Sequence, residues 1–307
     1  MKLSCKLMAM LFCLMLVSIG WANDLETATP ESVGMSGERL ERIDAVLKAD
    51  IAAGTIPGAV VLVAREGKVV YFKNFGMQDK EAGIAMQKDS IFRIYSMTKT
   101  SVAVAAMMLL EEGKLLLSDP VAKYIPAFKD VQVAVYGKDD QGNTTRSLEA
   151  PKTVMTIHHL LTHTSGIAYG WSVPKTFQNE YYGVGLKSDW TIAEQCDAFA
   201  KLPLQFHPGE KYMYSRSFDV LGRVLEVASG MPLDKLLDSY VFKPLGMVDS
   251  GFNVSDANQK RVVYMNPQTF LYSDLSKPSI NFSGGGGAVS TTMDYARFAL
   301  MLLNGGV

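Results

Sequence analysis

From Ser36 to Gly54, "SGERLERIDAVLKADIAAG" sets Leu40, Ile43, Val46, Leu47 and Ile51 on one stripe at helical spacing, with Ser36 placed to cap the start and Gly54 to stop the end. This predicts an amphipathic packing helix. Two β-rich runs follow, "GAVVLVARE" and "KVVYFKNFG", hinged at Glu66 and Gly67, and they predict a hairpin. The first run is apolar without alternation, which predicts a strand buried on both faces. "FRIYSMTKTSVAVAAMMLLEEGK", Phe92 to Lys114, then predicts an apolar helix with Ser96 and Lys99 at its mouth. Beyond Asp119 the pattern changes to short helical stretches broken by Pro120, Pro126, Pro151, Pro174, Pro203 and Pro208, with the polar "GKDDQGNTTRSLEAPK" in the middle. That predicts a helix-rich lobe with long surface loops. The last helical pattern, "TTMDYARFALMLLNGG", ends at Gly305 and Gly306.

Composition adds what the pattern cannot. With 48% hydrophobic and 20% charged residues over 307 positions, the chain has the make-up of an ordinary globular protein. A net charge of -1 with no block of like charges offers no footprint for nucleic acid or an anionic membrane, and neither partner is expected. "MKLSCKLMAMLFCLMLVSIGWAND" reads as a secretory signal: Lys2 and Lys6, an apolar run from Leu7 to Ile19, and a small-x-small exit at Gly20 and Ala22. Cleavage is expected before Asn23, with residues 1–22 lost and the chain periplasmic or extracellular. The run is shorter than the ~20 apolar residues a span needs, so no stable membrane span is expected. Cys5 and Cys13 would leave with the signal, and Cys196 in "AEQCDAFAKL" sits among helical apolar positions as a buried small hydrophobe.

Ser96 and Lys99 stand three apart, a spacing that puts side chains on one helix face. A serine hydroxyl is a poor nucleophile until a neighbour takes its proton, and lysine can do so when burial lowers its pKa to roughly 7 to 8. The plain alternative is a serine cap beside a solvent-facing lysine, and S-x-x-K alone does not decide between them. A second stretch, "HPGEKYMYSRSFDVLGRVLEVASGMPLDKLL", holds Tyr214, a candidate proton relay or an ordinary amphipathic aromatic. Asp219, in the first turn of the helix that follows, reads as an answer to the helix dipole.

Other features point away from other chemistries. His159 and His163 have the i, i+4 spacing of a metal pair, but no acidic residue follows His159 and no third ligand is evident, so no metal is expected. Gly284 to Gly287 lack the context of a nucleotide-binding loop and read as a place where backbone passes close to the cleft or a neighbouring helix. There is no G-x-S-x-G elbow. Tyr181 and Tyr182 read equally as lining for an acyl pocket and as surface aromatics.

Together "SMTK" at Ser96 to Lys99, "LLTHTSGI" at Leu160 to Ile167, "YSRSFDVLGRVLEVASG" from Tyr214 and "GGGGAVSTTMDYARF" from Gly284 resemble the serine β-lactamase and penicillin-binding-protein superfamily. Within it they resemble most the class C-like esterases called family VIII carboxylesterases. The resemblance runs from about Pro30 to Val307. It implies an α+β fold, with an α/β lobe beside an all-α lobe and an antiparallel sheet flanked by helices. Residues 23–307 would form one β-lactamase-like catalytic domain, with 30–95 giving the N-terminal helix and hairpin of the α/β lobe and 96–307 the helix-rich lobe.

The resemblance implies that Ser96 is the acyl-accepting nucleophile, Lys99 its base and Tyr214 the proton relay, with no cofactor. The partner would be a small-molecule ester or amide. Where β-lactamases carry Tyr-x-Asn, this sequence has Arg216, a substrate-binding candidate whose guanidinium cannot reproduce an amide's mixed donor and acceptor pattern. The expectation is therefore a serine esterase for small to medium acyl esters. A β-lactamase or D-alanyl-D-alanine peptidase is one alternative, and an impaired or non-catalytic relative another. Family members continue past the "MLLNGG" helix into strands that complete the central sheet and carry a third motif of the Lys-Thr-Gly or Trp-Gly-Gly kind. Their absence from this sequence implies a truncated domain, an open apolar edge on the hairpin, and a rate lowered by on the order of a hundred- to a thousand-fold for the loss of one oxyanion donor.

Overall fold

The computed structural model describes residues 25–185, 187, 189–264, 275 and 277–306; the signal segment expected at 1–22 lies outside them. Helix α1 (Gly37–Ala52) begins where the Ser36 hydroxyl accepts the Arg39 N–H at 3.2 Å, and the chain turns away through Gly54 at φ +74°. Leu40, Ile43, Leu47 and Ile51 are half-buried, but Val46 is 59% exposed, so the apolar stripe is narrower than its sequence suggests.

Strands β1 (Gly58–Arg65) and β2 (Lys68–Asp79) pair antiparallel with Arg65 opposite Lys68. Glu66 and Gly67 lie at φ +53° and +75°, the left-handed pair whose twist matches a two-residue hairpin. Strand β3 (Ile84–Ala85) pairs with the far end of β2, giving the sheet order β1-β2-β3. β1 is thus an edge strand and none of its residues is fully buried, which corrects the expectation of burial on both faces. An unalternating apolar strand does not by itself specify what covers it.

Strand β4 (Phe92–Arg93) leads through a 3-10 turn, Tyr95–Met97, into α2 (Thr98–Glu111). Between α2 and the helices that follow, Val133–Lys138 (β5) and Thr144–Glu149 (β6) form a second hairpin where the sequence predicted a surface loop. Its turn is set by Asp139, whose carboxylate accepts the N–H groups of Gln141 and Asn143, and by Gly142 at φ +80°. The polar residues there are the exposed positions of two paired strands.

The helical body comprises α3 (Ile157–Leu161), α4 (Gln178–Gly183), α5 (Ile192–Phe199), α6 (Ser217–Ser229), α7 (Leu233–Leu237) and α8 (Thr292–Leu303). One core joins Val102, Ala105, Ala106 and Leu109 of α2 to Leu160, Cys196, Val220, Leu221, Val224, Leu225 and Leu236, all buried. α2 is apolar on most of its surface because it runs through the middle of this core, which leaves only its mouth for chemistry. Strand β7 (Val289–Ser290) pairs antiparallel with β4, so the segment before Ser96 is bound to the segment after the glycine run. The whole is an α+β fold. On its open side, Val60 and Leu62 of β1 and Tyr295, Ala299 and Leu303 of α8 line an apolar groove of about 810 Å³.

Candidate active site

The turn that carries Ser96 is strained. Tyr95 sits at φ +43°, a conformation costing a non-glycine residue about 1–3 kcal/mol. The turn is held on both sides, by Ile94 N–H to the Ala288 carbonyl at 3.1 Å and by Met97 N–H to the Ile94 carbonyl at 2.9 Å. Ser96 does not cap α2; the N-cap position is Met97, with no side-chain bond to the helix. Its hydroxyl is exposed and accepts hydrogen bonds from Lys99 Nζ at 3.1 Å and from the Tyr214 hydroxyl at 2.6 Å.

Lys99 is 7% exposed, so the reading of a solvent-facing lysine does not hold. Besides Ser96, its Nζ donates to the Gly285 carbonyl at 2.5 Å and lies 4.7 Å from the centroid of the Tyr214 ring. One turn of helix therefore brings the amine back to the hydroxyl, as the i, i+3 spacing requires. Such a set can take a proton from the serine and return it to a departing group.

Tyr214 is placed by its neighbours. The His163 ring lies 4.7 Å from it and the Tyr169 ring 6.0 Å, the latter stacked at 30°. His163 adopts φ +56° just past the end of α3, and its Nδ1 accepts the Ser215 N–H at 3.2 Å. Burial, and then the charge of Lys99, push its pKa down to about 4, so the ring is neutral near pH 7 and adds no positive charge of its own beside Lys99. Behind it, the hydroxyls of Ser215, Ser217 and Ser165 are linked at 2.7 and 2.8 Å. His159 does not share a helix face with His163, because α3 stops at Leu161; its Nδ1 accepts the Thr156 N–H at 3.2 Å instead.

Two further features support this cluster. The glycine run passes against α6 so closely that a Cβ on Gly284 would strike the Phe218 carbonyl, and one on Gly285 would lie 2.9 Å from an Asp219 carboxylate oxygen. Asp219, 1% exposed, accepts the Ser283 hydroxyl at 2.5 Å and the Gly285 N–H at 3.1 Å, so it does more than answer the helix dipole. The sequence signal was available in the four adjacent glycines. Tyr169 and Trp171, stacked 5.3 Å apart at 14°, escaped the sequence reading although they directly follow "LLTHTSGI". Trp171 is 58% exposed.

Arg216 is not joined to the Ser96, Lys99 and Tyr214 hydrogen bonds. Its guanidinium folds onto two rings, 5.0 Å from the centroid of Tyr169 and 5.2 Å from that of Phe199, and Nη1 is buried with no hydrogen-bond partner among the described residues. The guanidinium packs against Tyr169 and Phe199, since a weakly hydrated planar cation gains from aromatic faces that an amide would not use. Tyr181 is buried and donates to the Pro203 carbonyl at 2.7 Å, whereas Tyr182 is 53% exposed. Cys196 is fully buried and burial pushes its thiol well up, which leaves it inert.

The chain is similar to known proteins. The Beta-lactamase family profile matches residues 43–307. The Mycobacterium tuberculosis protein Rv1367c is 38% identical over 264 residues, covering 83% of this chain and 64% of the relative. Esterase EstB of Burkholderia gladioli is 36% identical over 232 residues, covering 74% of this chain and 55% of the relative. The chain thus spans less than two thirds of the length of either. Among solved structures, EstCE1, described as a hydrolase with promiscuous acyltransferase activity, superposes with a TM-score of 0.69 at 27% identity, covering 86% of this chain and 72% of that one.

Proposed function

The chain belongs to the β-lactamase family, and we propose that it is a serine hydrolase that cleaves small to medium acyl esters through an acyl-enzyme on Ser96. One observation carries the proposal: the Ser96 hydroxyl is met at once by the Lys99 amine, at 3.1 Å, and by the Tyr214 hydroxyl, at 2.6 Å. In the reaction, the Lys99–Tyr214 pair takes the Ser96 proton as Oγ bonds to the ester carbonyl carbon. The tetrahedral oxyanion collapses, the C–O bond to the alcohol breaks, and Tyr214 passes a proton to the leaving oxygen. Water then attacks the acyl-serine, the same pair takes its proton, and Ser96 is regenerated.

The esterase name of the Burkholderia relative supports esters over β-lactams. So does the position two residues after Tyr214, where an arginine lies against aromatic rings and offers no side-chain amide to hold a lactam amide. We also propose that the chain is exported, on the basis of the apolar run and small-residue exit before Asn23. No helix among the described residues is long and apolar enough to cross a membrane. The test is a substrate panel: p-nitrophenyl esters of short and medium acyl chains beside a chromogenic cephalosporin. Faster turnover of the esters, abolished in Ser96→Ala, is the expected result. Preferential cephalosporin hydrolysis would replace the esterase reading with a β-lactamase one.

A further inference from the structure

We propose that Asp219 is a positioning residue for Lys99, acting through the backbone of Gly285; the inference rests on the reading of Ser96 as nucleophile and Lys99 as its proton acceptor. A lysine side chain has four rotatable bonds and loses much rotamer freedom when held in one place, so an amine that must stay at one serine needs a fixed partner beyond that serine. The partner here is the Gly285 carbonyl, 2.5 Å from Nζ. Yet Gly285 lies in a run of four glycines with no side chains of its own to hold it.

What holds it is α6. Asp219 Oδ1 accepts the Gly285 N–H at 3.1 Å and the Ser283 hydroxyl at 2.5 Å, so one carboxylate oxygen grips the loop at two residues. The carboxylate is 1% exposed, and Val220 and Leu221 beside it are fully buried, so the grip comes from a rigid element. Beyond the glycines, the Ala288 N–H donates to Thr98 Oγ1 at 3.1 Å, and the Ala288 carbonyl accepts the Ile94 N–H at 3.1 Å. The loop is therefore stretched between α6 and the turn that carries Ser96. Gly285 is held at its N–H by Asp219 and holds Lys99 with its carbonyl. A side chain at 285 would meet Asp219 at 2.9 Å and push that carbonyl away.

The test measures how fast a fluorophosphonate probe adds to Ser96 in the full chain, followed by intact-protein mass. Asp219→Ala removes the grip, and because misplacing a reacting group by about 1 Å costs on the order of a hundredfold, labelling should slow by about ten- to a hundredfold at temperatures well below its melting point. Asp219→Asn retains an acceptor oxygen at the same place and should label within about threefold of the wild type. A merely structural role would lower the melting temperature without separating these two variants in rate. If Asp219→Ala does not fold, Gly285→Ala, which keeps the carboxylate and displaces the carbonyl, carries the same expectation of slow labelling. Asp219→Ala labelling like the wild type, Asp219→Asn labelling as slowly as a folded Asp219→Ala, or undiminished labelling of Gly285→Ala would overturn the inference alone. A folded wild type that takes no adduct at Ser96 would remove the nucleophile reading, and the inference with it.

Discussion

Two non-glycine residues in the left-handed region border the Ser96 hydrogen bonds: Tyr95, one residue before it, and His163, packed on Tyr214. The backbone conformation of His163 brings the ring under Tyr214 and lets Nδ1 take the Ser215 N–H. Its pKa falls from 6.5 to about 4 because the ring is buried and Lys99 is near. Between those values the unfolded chain binds a proton that the folded chain refuses. The stability that depends on neutral His163 is therefore complete above about pH 6.5, declines as pH falls through the window, and is gone below about pH 4. His163→Gln should melt lower than the wild type near pH 7, yet lose less on going to about pH 4.5; equal losses in thermal melts would contradict this. That Ser96, Lys99 and Tyr214 meet was legible, from one short spacing and from motifs that occur together in the family. Arg216 was not, because its position depends on Tyr169 and Phe199, each far from it in the chain or on another element.

Among the elements, the glycine run has the tightest steric demand. α6 presents the Phe218 carbonyl where a Cβ on Gly284 would sit, and Gly222 of the same helix lies 3.4 Å from that point. Gly284→Ala should cost about 1–3 kcal/mol in urea unfolding, since neither backbone can yield without disturbing the core behind it. An unchanged midpoint would show that the loop has room to move. The run of glycines announced a close backbone approach, but what it approached could not be read, because α6 lies more than fifty residues earlier. Helix α1 was legible from its stripe and its Ser36 cap, and α8 from its helical pattern and the glycines that end it, whereas the start of α8 is set by Thr291, whose hydroxyl accepts the Asp294 N–H. The β5–β6 hairpin was missed because its alternation is faint and "TTRSLE" is mostly solvent-facing.

At the scale of the molecule, the site is assembled from four separated segments: the turn at 95–99, the loop around His163 and Tyr169, the approach to α6 at 214–219, and the glycines at 284–287. The β4–β7 pairing brings the first and last together, the Asp219 contacts tie the third to the last, and the helical core keeps them there. β1 stays an edge, with an apolar groove between it and α8. The family and the α+β architecture were legible from several motifs in a fixed order, whereas the burial of β1 was not, since an edge and a central strand can share one apolar sequence. The central claim is that this assembly makes Ser96 a nucleophile. The most direct test is intact mass of the folded chain after treatment with a fluorophosphonate probe, beside Ser96→Ala. One adduct on the wild type and none on the variant is the predicted result; a folded wild type that gains no mass, or a variant labelled equally, would contradict it.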